Sequence, residues 1–246
     1  MMTRIFKTCG VLLLGAALQG CVGAGGQAPD LQRDRIAGQP LSSTVERPPP
    51  FSRRIAQSGG GGIGGGIAGF LIGKAVTATL NADDRARSKI GEVPTPQGVD
   101  PGAIIENTIA DYLIAEFGAR PNLRPFYAGS LRETGANERA AGVANLARRR
   151  GLSGVVIDVV ALEYYADSSG RNLGLLDEAF RIVIRAEMNL VDIATGEVLA
   201  FGSCTGTHDN LTKIEAAIED GPRLTTLLAQ KAAADCAGQL IDTALK

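Results

Sequence analysis

The sequence predicts an α/β (α+β) fold in which a small, mostly antiparallel sheet is packed by about three helices. Phe180, Ile182, Ile184, Ala186, Met188 and Leu190 alternate with Arg181, Arg185, Glu187 and Asn189, the period of two of a half-buried strand. Asp192 to Gly196 turns the chain, and Val198 to Cys204 returns as the second arm of an antiparallel hairpin. Two helical stripes can cover such a sheet: Ile105, Ile109, Tyr112, Leu113 and Phe117, then Leu224, Leu228, Ala232, Cys236, Leu240 and Ala244.

In chain order, residues 1–20 come first. Arg4 and Lys7 precede an uncharged core from Gly10 to Leu18, which has the shape of an export signal and is too short for a permanent span. Leu18-Gln19-Gly20-Cys21 closes it and resembles the lipobox of bacterial lipoproteins, Leu-x-Gly/Ala-Cys, with Gln19 the one mild departure. That resemblance implies cleavage before Cys21 and acylation of its sulfur, making membrane lipid the first partner. Each buried methylene contributes about 0.8 kcal/mol, and two or more chains give stable anchoring. Val22 follows the cysteine where an Asp would signal inner-membrane retention, which implies an outer-membrane address facing the periplasm.

Residues 21–58 read as a lipidated cysteine and a flexible linker, rich in Gly, Gln, Pro and Ser and semi-rigid at Pro48-Pro49-Pro50. Residues 59–80 form a glycine-rich stretch with no charge between Arg54 and Lys74. Gly61, Gly65, Gly69 and Gly73 repeat every four residues, a small-residue stripe along which helix backbones approach closely in lipid. In water each glycine costs about 0.8–1 kcal/mol relative to alanine. The segment is therefore either a membrane-embedded or self-packed glycine-zipper helix, or a disordered tract. Gly60-x-Gly62-x-x-Gly65 fits a dinucleotide fingerprint only because any glycine tract does. A P-loop reading fails at Ala68 and Ala75, where glycine and Ser/Thr would be needed. Residues 81–99, charged and then Pro94-Thr95-Pro96, read as a second linker.

Residues 100–246 form the globular part. Asp100-Pro101 is an N-cap followed by proline at N1, and Gly118 with Pro121 stops that helix. Leu123 to Tyr127 is a short strand. A second helix, Ala136 to Arg150, has an inner face of Ala140, Val143 and Ala147. Arg148-Arg149-Arg150 at its end complements the helix dipole, or touches an anionic envelope polymer or phospholipid. Gly154 to Tyr164 is a strand covered on both faces, within which Asp158 is read as hydrogen-bonded structure. Asp177 and Glu178 sit in loop-like sequence and are read as solvated. Asp220-Gly221-Pro222 opens the last helix.

The run Ala147-Arg148-Arg149-Arg150-Gly151-Leu152-Ser153-Gly154-Val155-Val156-Ile157, with the Thr195-Gly196-Glu197-Val198 hairpin, resembles periplasmic α/β lipoprotein domains. These include the curli-secretion lipoprotein, the penicillin-binding-protein activators and the N-terminal domain of the Tol propeller protein. The likeness covers roughly residues 136–204. Gly91 to Val99 departs from the hydrophobic opening strand of those domains, so no partner and no functional residue is carried over.

Lys and Arg number 25 against 26 Asp and Glu, which gives no electrostatic footprint for nucleic acid. Cys9 leaves with the leader and Cys21 takes lipid. Cys204 and Cys236 remain as an even pair in an oxidising compartment, the pattern of a structural disulfide. Two alternatives use the same sulfur. Gly202-Ser203-Cys204-Thr205-Gly206 with His208 has the spacing of a nucleophile elbow, and Cys204, His208, Asp209 and Cys236 could ligate a metal. The elbow lacks the strand-to-helix turn, and the metal set lacks a ligand spacing. No cofactor is implied. The reading is a non-enzymatic lipoprotein whose domain binds an envelope protein or a peptidoglycan-associated partner. A self-assembling membrane component, homo-oligomeric through its glycine zipper, and a cysteine hydrolase are the alternatives.

Overall fold

The computed structural model describes residues 33–55, 89–128, 131, 136–168, 179–208 and 211–246. The leader, Cys21, the stretch carrying Gly61, Gly65, Gly69 and Gly73, the pair Asp177-Glu178, and Asp209 lie outside the described residues.

Seven strands form one sheet: β1 (Pro40–Val45), β2 (Ser52–Ile55), β3 (Arg120–Tyr127), β4 (Val155–Ser168), β5 (Ala179–Asp192), β6 (Val198–Thr207) and β7 (Thr212–Lys213). Their order is β3-β1-β4-β5-β6, with β2 also beside β4 and β7 also beside β5. The long ladders β4–β5 and β5–β6 are antiparallel, whereas β1 and β2 run parallel to β4 and β3 runs parallel to β1. Four α-helices are described: α1 (Pro101–Phe117), α2 (Ala136–Arg149), α3 (Ile214–Asp220) and α4 (Pro222–Leu240), the last continued by a π-helical turn at Ile241–Leu245, and a 3-10 turn at Arg33–Arg35 precedes β1.

Strand periodicity decides which residues meet which helix. Ile157, Val159, Ile182, Ile184, Met188 and Leu190 point into one core with Ile105, Ile109 and Leu113 of α1 and with Leu228, Ala232 and Cys236 of α4. Val156 and Val191 point the other way, onto Ala140, Val143 and Ala147 of α2. The sheet is thus covered on both faces at its centre. Asp100 caps α1 by accepting from the Ala103 N–H at 3.2 Å, and Gly118, at φ 69°, ends it in the left-handed conformation that favours glycine.

The β6 edge is closed by a side chain. Gln239 on α4 accepts from the Thr205 N–H at 3.2 Å and donates to the Thr205 carbonyl at 3.0 Å, as a neighbouring strand would. The β3 edge carries Pro121 and Pro125, which cannot donate to an added strand.

Two boundaries need correction. Of the linker assigned to residues 21–58, Arg33 to Ile55 belong to the domain, because β1 and β2 pair with β4. Residues 89–99 are not a linker either: Ile90 and Val93 are buried in the main core, and Arg53 donates to the Val93 carbonyl from Nε at 2.8 Å. Ahead of the last helix, which starts at Pro222 as Asp220-Gly221-Pro222 predicts, lie the short β7 and α3, for which the sequence shows no stripe.

Candidate functional site

β1 leaves β4 after Ser43↔Ile157, and β2 takes up the same side only at Ser52↔Tyr165. The chain between, Glu46 to Phe51 with its three prolines, cannot continue the ladder. Into the gap project Thr44 from β1, Glu46 just beyond it, Glu106 from α1, Arg139 from α2 and Asp158 from β4. Among the described residues, the densest group of buried polar side chains sits there.

Asp158 is closed to solvent and Arg139 nearly so. Arg139 donates from Nε to Asp158 Oδ2 at 2.7 Å and from Nη2 to Oδ1 at 2.6 Å, a planar fork on a planar carboxylate. Its Nη2 also lies 2.6 Å from Glu46 Oε1. Burial lowers the affinity of this guanidinium for its proton; the bonds to Asp158 and then Glu46 more than restore it, so the net shift is upward. Thr44 Oγ1 donates to Asp158 Oδ1 at 2.8 Å and lies 3.5 Å from Glu106 Oε1. A hydroxyl has one proton to give. With that proton on Asp158, the 3.5 Å approach to Glu106 is the weaker of the two contacts.

Glu106 is held protonated. Burial first, then the charges of Asp158 and Asp100, raise its pKa from 4.5 to about 9, against hydrogen bonds from Ser43 and the Val159 backbone that lower it. It lines a cavity of about 30 Å³ together with Thr44, Glu46, Pro48, Asp100 and Ala103. That volume suits a water, not an organic substrate. The cluster can store or release a proton and can lock β1, α1 and α2 to β4. It has no room to turn over a metabolite.

The other candidate residues separate cleanly. Cys204 and Cys236 are joined by a disulfide with a Cα–Cα distance of 5.2 Å. A sulfur in a disulfide is neither a nucleophile nor a metal ligand, so the cysteine hydrolase and the Cys/His/Asp metal set are overturned. The glycines of the supposed elbow have another purpose. A Cβ on Gly206 would lie 2.0 Å from the Ala232 carbonyl oxygen, and one on Gly202 would lie 3.0 Å from Ala244 and Leu240. Both are there to let α4 approach β6. His208 is buried, edge-on to Phe180 with ring centroids 6.4 Å apart.

Of the three arginines ending α2, Arg148 donates to the Ala194 carbonyl at 2.8 Å and Arg150 to the Tyr127 carbonyl at 3.4 Å. Arg148 and Arg149 also border an open groove of about 470 Å³, shared with Leu131, Gly142, Asn145 and Leu146. Sequence reasoning treated Asp158 as hydrogen-bonded structure, which the fork bears out, but it missed Arg139, Glu46, Thr44 and Glu106. The available signal was an acid within Val-Val-Ile-Asp-Val-Val, since a carboxylate in such a strand demands a buried cation.

No family model matches the chain, and no curated protein matches it. Among solved structures it is similar to the PelC dodecamer from Paraburkholderia phytofirmans, at 15% identity over 87% of this chain and 92% of that one, with a TM-score of 0.32. It is also similar to lipoprotein GNA1162 from Neisseria meningitidis, at 13% identity over 78% of this chain and 96% of that one, with a TM-score of 0.25. A third is the LpoB C-terminal domain from Salmonella enterica, at 17% identity over 73% of this chain and 90% of that one, with a TM-score of 0.19. At these scores no residue role, partner or assembly passes to this chain.

Proposed function

We propose that the protein is an outer-membrane-anchored lipoprotein whose α/β domain binds an envelope partner without catalysing a reaction. The observation that carries this reading is how soon after Cys21 the domain begins. Arg35 donates to Asp192 and to Glu197, each at 2.8 Å, and Ile36 is fully buried. The Gly38 N–H donates to the Gly118 carbonyl, and the Arg120 N–H to the Gln39 carbonyl, each at 2.9 Å. The chain is thus fixed to the domain from Arg33, twelve residues after Cys21. Fully extended, that tether reaches about 40 Å. Acylation would hold the domain against its own membrane, where a partner in the same envelope layer is met at high effective concentration.

The groove beside Arg148 and Arg149 is the surface suited to an anionic partner, which keeps an anionic polymer or phospholipid headgroup within this reading. The test is cell fractionation with affinity capture from intact envelopes. The native chain is expected in the outer-membrane fraction with a reproducible partner. Cys21→Ser is expected in the soluble periplasm with that partner lost. Unchanged membrane partition of Cys21→Ser would overturn the tether.

A further inference from the structure

The chain outside the described residues between Ile55 and Lys89 is 33 residues long and contains the uncharged glycine-rich stretch. Its two ends are clasped together: Arg53 donates to the Val93 carbonyl from Nε at 2.8 Å and from Nη2 at 2.6 Å, and to Thr95 Oγ1 at 3.1 Å. The segment therefore leaves and returns at one place on the domain. The returning end runs along α3 and α4, where Lys89 Nζ bonds Glu215 Oε1 at 3.1 Å and the Gln97 N–H donates to Thr226 Oγ1 at 2.9 Å. Exposed apolar side chains lie on α3, on α4 and just ahead of β7. Ile218, one turn beyond Glu215, is 41% exposed; Leu227, next to Thr226, is 47% exposed; Leu211, just ahead of β7, is 48% exposed.

We propose that this apolar shelf of Leu211, Ile218 and Leu227 is the docking surface for the chain's own residues 59–80. Ile63, Ile67, Phe70, Leu71 and Ile72 supply the apolar side chains, and the glycine stripe lets the backbone lie close to α3 and α4. A single span across a bilayer would carry the chain about 30 Å from its departure point. The return from Leu80 to Lys89 has nine residues, which fully extended regain about 30 Å, with nothing left to reach the clasp at Arg53. The two anchored feet therefore favour a segment folded back on its own domain over one that crosses the membrane. The inference stands on the feet and the shelf, and holds whether or not Cys21 is acylated.

The test is cysteine cross-linking in the full-length chain, with Ile218→Cys paired with Ile67→Cys and, as a control, Arg149→Cys paired with Ile67→Cys. An intramolecular bond forming at least tenfold faster in the first pair is expected on non-reducing gels and by peptide mapping. Disulfide-linked dimers in its place would assign the shelf to a second copy and overturn the proposal. Equal rates in the two pairs would overturn it too, as would a thiol of Ile67→Cys that is shielded from water-soluble maleimide only when vesicles are present. Hydrogen exchange gives an independent reading. In Ile67→Ser/Phe70→Ser, amides from 211 to 227 are expected to exchange at least tenfold faster. Unchanged exchange would assign any cover to residues 169–178, which leave the sheet at the same pole, and would overturn the proposal.

Discussion

Arg139 grips both carboxylate oxygens of Asp158, at 2.7 and 2.6 Å, in the buried first half of β4. The fork reaches from α2 to the middle of the sheet, at the level where β1 parts from β4. It sets the first expectation. Removing one partner leaves the other charge buried alone, so Arg139→Met should cost about 3–5 kcal/mol in urea denaturation. Arg139→Met combined with Asp158→Leu should recover much of that loss. A double variant as unstable as the sum of the two singles would remove the ion pair as a stabilising unit.

Glu106 gives a pH dependence with a definite sign. Its carboxyl titrates near 9 in the folded protein against 4.5 ordinarily, so between those values the unfolded chain releases a proton that the folded chain keeps. Its contribution is therefore fully present below pH 4.5 and is lost as pH rises toward 9. Glu106→Gln should match the native chain at pH 5 and exceed it by about 2–4 kcal/mol at pH 8. Parallel stability curves for the two proteins from pH 5 to 9 would contradict this assignment.

The disulfide closes a separation of 32 residues and ties α4 to β6. Reduction, or Cys204→Ser with Cys236→Ser, should lower stability by about 3–4 kcal/mol on the chain-entropy model. Free-thiol counting after denaturation without reductant checks the premise. Neither Cys204 nor Cys236 should react.

Gly206 faces the Ala232 carbonyl oxygen at a distance no Cβ tolerates. Gly206→Ala should push α4 off β6 and lose several kcal/mol, whereas Ser203→Ala, on the exposed side of the same strand, should stay within about 0.5 kcal/mol. Equal thermal midpoints for the two variants would show that α4 and β6 are not packed this closely.

The elements legible in the sequence were those with a local signal. The alternation from Phe180 to Leu190, the Asp100 cap and the helical stripe ending at Ala244 each declare themselves within a short stretch of chain. β1 did not, because Pro40-Leu41-Ser42-Ser43-Thr44-Val45 buries Ser42, Ser43 and Thr44 and shows no apolar alternation. β2, Ser52-Arg53-Arg54-Ile55, is half charged, and its strand character comes from partners more than a hundred residues away on β4. The Gly-x-Cys-x-Gly pattern was equally deceptive. Its glycines answer to a helix that begins sixteen residues later, a relation that appears only once α4 lies on the sheet. The cluster around Asp158 gathers residues from four separate segments, and no spacing in the chain announces it.

The proposed lipid tether would decide where the molecule works, and intact mass spectrometry of the purified N-terminal peptide tests it most directly. The peptide is expected to begin at Cys21 and to carry diacylglycerol on the sulfur with a further acyl chain on the amine. A chain beginning at any other residue, or a Cys21 free of acyl mass, would contradict the reading of a domain held at its membrane.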